Sequence, residues 1–279
     1  MTSFFPDRPP YRPFLSGPPK FKVGLKKIEA AEWLRPDPEL QAGRAHGAAM
    51  LDQRFSEVFR EIHGSAAAQA EARAMVESAL NETAPEAGEP DLARARRMVS
   101  DDLVVMTAED GEWRTAALAL CQPTFFSAGH AIGKTLDGLH VPVPDGSPRL
   151  AGAIAHVFNS LAADAVFERF NWTVQFGEDR YTPDGGPLRA QAEALGPEAA
   201  ADQLHLRVER QTIRRLPETG GVLFTIRIAL DPLEPILRNP ETGAALAAGW
   251  RGAADNARRY KRWDALEAAM EHLLKRENL

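Results

Sequence analysis

The segment LHLRVERQTIRRLP, residues 204–217, sets Arg207, Arg210, Arg214 and Arg215 around a single carboxylate, Glu209. Read as a strand, Leu204, Leu206 and Val208 share one face, and His205, Arg207, Glu209, Gln211 and Ile213 share the other. Such a row has two readings. One is a hydrated sheet face with cross-strand ion pairs, to Glu178 or Asp179. The other is the polar wall of a pocket, where Arg207 or Arg214 clamps an anionic ligand because a guanidinium fork matches a carboxylate. In that pocket Glu209 would pair with a cationic substrate or take its proton. Asp102, in SDDLVVM, is a second carboxylate for the same work, or a turn residue at a strand start.

Of the seven histidines, no two sit at a metal-chelating spacing. A lone ligand suffices where a macrocycle supplies four others, as heme does. His140, in GKTLDGLHVPVPD, precedes Pro142 and Pro144, which fix an extended backbone and so a place to hold an imidazole. The plainer reading is a histidine at the surface or core edge of a proline-rich turn. His205, on the charged strand face, is the next candidate ligand. Cys121, the single cysteine, is either a thiolate ligand or a small apolar core residue. One cysteine builds no disulfide, cysteine-rich zinc site or iron–sulfur cluster. Phosphate-loop and dinucleotide glycine patterns, the Gly-x-Ser-x-Gly elbow and the HExxH pair are absent.

Elements must position these residues. LVVMTAEDGEWRTAALALC reads as two strands around the turn Asp110–Gly111. VFERFNWTVQF is a strand, and LHLRVERQTIRRLPETGGVLFTIRIAL a hairpin closed by Pro217 to Gly221. Helical spacing joins Leu51, Phe55, Val58, Phe59 and Ile62, with a stop at Gly64. Helices are expected over 66–81, 91–99, 150–163 and about 254–276. The order helices, antiparallel strands, helices predicts an α+β fold with its sheet covered on one side. Residues 1–20 form a proline-rich arm, disordered or wrapped on the domain through Phe4, Phe5, Tyr11 and Phe14; residues 21–279 form one domain.

The chain has 279 residues, with 44% apolar and 26% charged content. That is ample for a core. A net charge of −6 argues against general nucleic-acid binding. No segment reaches the apolar length of a membrane span or a signal core, which predicts a cytoplasmic protein.

Four segments together resemble the heme-dependent oxidative N-demethylase family. The longest is RVERQTIRRLPETGGVLFTIRIALDPL; FKVGLKKIEAAEWL, GKTLDGLHVPVPD and RFNWTV occur in the same order as in the family. The resemblance implies a PAS-like antiparallel sheet with flanking helices around one heme b. It implies oxidative removal of a methyl group from a small secondary amine with dioxygen. Electrons would come from flavin and iron–sulfur components on reductase or ferredoxin-type partner subunits. It makes His140 the leading heme ligand, sets Arg207 and Glu209 in the Arg-Val-Glu-Arg-Gln signature, and matches Asp102, Asn171 and Trp172. Two departures bear on the pocket: Phe126 stands where the family commonly has tryptophan, and Asp145–Gly146 where Gly-Tyr follows the Pro-Val-Pro run. The alternative is a PAS-like heme or small-ligand sensor without turnover, and a third reading is a scaffold that has lost heme.

Overall fold

The computed structural model describes residues 9–34, 37, 39–86 and 88–279. Its strands are β1 (Lys26–Ile28), β2 (Phe59–Glu61), β3 (Asp102–Glu109), β4 (Glu112–Ala119), β5 (Val166–Phe176), β6 (Leu204–Arg215) and β7 (Val222–Pro232). They form an antiparallel sheet in the order β1-β5-β6-β7-β3-β4-β2, within an α+β fold as expected. The chain divides into two compact units. One holds the described residues up to Phe21 with Phe170–Arg210 and Ile228–Leu279; the other holds Lys22–Arg169 and Gln211–Arg227.

In the second unit, β3 and β4 meet at Asp110 and Gly111. Both have positive φ, 52° and 81°, the backbone that a two-residue hairpin turn requires. The apolar runs on these strands bury both faces, which corrects the expectation of a sheet covered on one side. Leu103 and Val105 are buried on one face, Val104 and Met106 on the other. An unbroken apolar run, unlike an alternating one, has no face suited to water. Val104, Met106, Leu118, Leu120, Ile213 and Val222 pack with Leu136, Ala151 and Phe158, carried by helices Leu136–His140 and Ala151–Ser160. On the opposite face, buried Trp33 donates its indole N–H to Thr212 Oγ1 at 3.0 Å, and Thr212 meets Thr225 at 2.7 Å.

The helical reading through Ile62 needs correction. The helix runs Leu40–Val58, and Phe59–Glu61 turns extended to pair with β4, Phe59 opposite Ala119. The open edge of β4 decides this: Leu120 donates to the Val58 carbonyl and Ile62 to that of Ala116, both at 2.8 Å. Pairing an edge outweighs helical periodicity at a helix end.

In the first unit, Trp250 stacks on Trp263 at 4.4 Å between centroids, and Trp263 lies 5.4 Å from Trp172. Trp263 donates to Thr173 Oγ1 at 2.8 Å. From the proline-rich arm, Tyr11 meets Phe170 and Phe14 meets Trp172 edge-on; Phe4 and Phe5 lie outside the described residues. The expected C-terminal helix is broken into Asp255–Tyr260, a 3₁₀ turn Trp263–Leu266 and Glu267–Arg276, with Arg262 at a φ of 61°. The break lets Trp263 turn into the aromatic stack. Among the described residues, no helix is long and apolar enough to cross a membrane.

Helix Leu40–Val58 approaches its neighbours closely through Gly43 and Gly47. A Cβ on Gly47 would lie 2.3 Å from Nη1 of Arg96, and one on Gly43 would lie 2.4 Å from Ser100 Cβ. Arg96 is fully buried and held at its own carboxylate, so it cannot swing aside. Gly47→Ala should therefore destabilise the fold by about 1–3 kcal/mol, read as a lower urea midpoint with an unchanged m-value. An unaltered midpoint would contradict this packing.

Candidate functional site

The segment carrying His140 leaves β4 and returns to its edge. Thr115 N–H donates to the Lys134 carbonyl and Gly133 N–H to that of Thr115, each at 3.0 Å. Thr135 then caps helix Leu136–His140, accepting from Gly138 N–H at 3.1 Å. His140 thus ends a short helix rather than sitting in the extended loop expected from Pro142 and Pro144. Those prolines lie beyond the last helical residue and end the helix instead of preventing it. Gly146 folds back so tightly that a Cβ there would lie 2.1 Å from the His140 carbonyl oxygen. The departure Asp145–Gly146 thus includes a packing requirement behind the histidine.

His140 Nδ1 lies 2.7 Å from the Leu136 carbonyl oxygen. A carbonyl only accepts, so Nδ1 carries the proton and Nε2 the lone pair. A backbone acceptor behind Nδ1 is the arrangement that orients a ligating imidazole. Burial, aided by the charge of Arg169, lowers the His140 pKa, against the Leu136 bond and Asp137. The shift favours the neutral ring that metal ligation needs. Leu136 and Leu139 of its helix join the apolar cluster, against which Phe126, Ile154, Val157, Phe167 and Phe224 are only partly buried. A lone-pair imidazole at the end of a helix packed into an apolar cluster suits a flat apolar macrocycle. Among the described residues, no three His, Cys, Asp or Glu side chains gather as a metal site of their own.

Asp102 is 1% exposed. Its two oxygens accept the amides of Cys121 and Gln122, each at 2.8 Å, and Nε of Arg96 lies 3.2 Å away. Burial pushes this carboxyl up, with Arg96 and the two amides opposing. Asp102 is thus tied into a buried structural node. Burial also pushes the Cys121 thiol up, to about 12, so it behaves as a buried thiol rather than a thiolate. Arg214 lies 4.5 Å above the Trp33 ring. Trp33 bonds Thr212, so Arg214 points to the sheet face opposite Ile213 and the apolar cluster of the His140 helix.

The remaining candidates lie in the first unit. Arg207 is fully buried. It donates to Gln175 Oε1 at 2.9 Å, and to the carbonyls of Arg180 at 3.1 Å and Asp179 at 3.4 Å. These bonds give it a share in holding the loop after β5. Glu209 is partly exposed and accepts from Asn171 Nδ2 at 3.3 Å, while Lys261 Nζ donates to Asn171 Oδ1 at 3.0 Å. Carboxylate, amide and ammonium form one chain, whose lysine the sequence reading missed because it lies far along the chain. Trp172 points the other way, into the aromatic stack. The structure thus brings Asn171 and Glu209 together and separates Asn171 from Trp172. His205 Nδ1 donates to the Gln203 carbonyl, 2.9 Å away, outside this chain.

Two outcomes follow from the geometry. Asp102→Asn leaves Arg96 buried without its anion and sets an amide N–H against a backbone N–H. It should cost about 3–5 kcal/mol in denaturant unfolding, with any loss of function tracking the folded fraction; a stable, inactive Asp102→Asn would contradict the structural role. His140 titrates with the opposite concern. Its folded pKa lies below the ordinary value of 6.5, so its contribution to stability is present above that value and lost as pH falls through the folded pKa. Protein without cofactor should therefore lose more stability than His140→Gln on acidification below the ordinary histidine range. Parallel losses in the two proteins would contradict the burial of this imidazole; His205, also lowered by burial, is common to both.

The family model described as haem-dependent oxidative N-demethylase, alpha subunit-like, matches residues 45–271. That span includes Asp102, His140, Asn171, Trp172, Arg207, Glu209 and Arg214, and excludes FKVGLKKIEAAEWL. The chain belongs to the haem-dependent oxidative N-demethylase, alpha subunit-like family.

Proposed function

We propose that the protein is the heme-carrying subunit of a cytoplasmic monooxygenase that demethylates a small secondary amine of the dimethylamine kind. The observation that carries this reading is the half-buried His140, its Nδ1–H fixed on the Leu136 carbonyl, its pKa lowered by burial and its helix packed into an apolar cluster. Family membership supports heme dependence and oxidative N-demethylation. The antiparallel sheet with helices on its faces is in keeping with a PAS-like heme b domain.

Bound heme would supply the redox chemistry that, with dioxygen and two electrons, converts an N-methyl group to formaldehyde and leaves the shorter amine. His140 would hold the iron through Nε2, with Leu136 fixing the ring's tautomer and Gly146 its backbone. The apolar side chains Phe126, Ile154, Val157 and Phe224 would exclude water from the ring face. The substrate's nitrogen is cationic near neutral pH, and a desolvated cation needs a paired anion. Glu209 is the carboxylate assigned to it, oriented by Asn171; Asp102 already serves Arg96. Electrons would come from flavin and iron–sulfur components on reductase or ferredoxin-type partner subunits.

The test is reconstitution with heme, followed by titration with dimethylamine and assay of formaldehyde under a chemical reductant and air. The expected results are a Soret band, an amine-dependent shift of it, and formaldehyde release. Glu209→Gln should keep the Soret band while amine binding weakens at least about tenfold, as expected when a desolvated ammonium loses its anion. A Soret band without amine response or formaldehyde would favour a heme sensor and overturn the enzymatic reading. Absence of the band would overturn the heme reading itself.

A further inference from the structure

Heme is apolar over its faces and carries two carboxylates at one edge. On this chain the apolar cluster beside His140 meets the sheet edge where β1 pairs with β5. Lys27 lies directly opposite Phe167, and Lys26 opposite Glu168. Side chains directly opposite share a face, and the next residues of the same parity continue it. Leu25 and Phe167 pack on the cluster, so Lys27 and Arg169 stand on that same face, flanking Phe167. Arg169 is half-buried and close enough to His140 for its charge to be felt there. Arg214 stands on the opposite face over Trp33. Arg215, on the cluster's own face, donates to the Phe158 carbonyl at 2.9 Å and lies over Trp113.

We propose that Arg169, with Lys27 beside it, forms the carboxylate-binding edge of the apolar cluster beside His140 and takes the propionates of heme; this rests on the heme reading above. The arginine shares its face with Leu25 and Phe167, so its stem would lie along apolar surface while its head meets the anion, the usual division of a long basic side chain. Neither residue belongs to the arginine-rich strand that first suggested a clamp.

Optical titration with heme and with heme dimethyl ester, whose propionates are uncharged, tests the assignment. The parent should prefer heme by about tenfold or more, the ratio that a charge-assisted fork contributes. Arg169→Ala should lose that preference yet bind the ester as the parent does, which also shows that it folds. Arg169→Lys should recover part of the preference, and Lys27→Ala should lose a smaller share. An Arg169→Ala protein that retains the parental preference, or a parent that binds both forms equally, would overturn the proposal. A parent that binds neither form would overturn the heme reading on which it rests.

Discussion

Two adjacent carboxylates at the start of β3 are buried back to back, and each needs its own cation. Asp102 faces Arg96 of helix Asp91–Arg96, and Asp101 faces Arg227 of β7, with N–O distances of 3.2 and 2.9 Å. Asp37 adds to the Arg227 side at 3.4 Å, and the Ser100 hydroxyl donates to Asp37. A lone buried charge costs several kcal/mol, so neither carboxylate can lose its partner cheaply. The pairs therefore act as a geometric constraint. Helix Leu40–Val58 must bring glycine to Arg96, β7 must sit beside β3, and the end of β4 must present the Cys121 and Gln122 amides to Asp102. The chain leaves β4 at that point for the segment carrying His140. The node thus sets where the candidate ligand's segment begins.

The chemistry assigned to His140 rests on a division of labour among polar groups. A ligating imidazole must be neutral and oriented, and here burial does the first and the Leu136 carbonyl the second. A carboxylate for a cationic amine must remain open, and Glu209 is partly exposed where Asp102 is not. Carboxylates on a macrocycle need cations at the rim of an apolar wall, the part proposed for Lys27 of β1 and Arg169 of β5. Burial, more than residue type, separates the structural acid from the partly exposed one proposed to meet the amine.

Local signals carried much of the architecture. The β5 segment Val166–Phe176 is legible as a strand to the residue, because alternation and β-branched or aromatic content coincide. The Asp110–Gly111 hairpin follows from the two residues that most readily take positive φ. Period two likewise places Arg207 and Arg214 on opposite faces of β6. What sequence could not show depends on distant partners. The helix under His140 is set by Thr135 capping and by pairing with β4, against two prolines that suggest extended backbone. Asp102 reads as a free carboxylate until Arg96 folds onto it, and Lys261 reaches Asn171 from ninety residues away. Arg169 carried no signal of its own, because its place depends on which face of β5 meets the apolar cluster.

The central claim is that Nε2 of His140 is the protein's bond to heme iron. Resonance Raman spectroscopy of the ferrous protein reports that bond through its iron–imidazole stretch. The account predicts the band in the parent, its loss in His140→Gly, and its return when free imidazole is added to fill the space the side chain left. A band that persists in His140→Gly without added imidazole would contradict it.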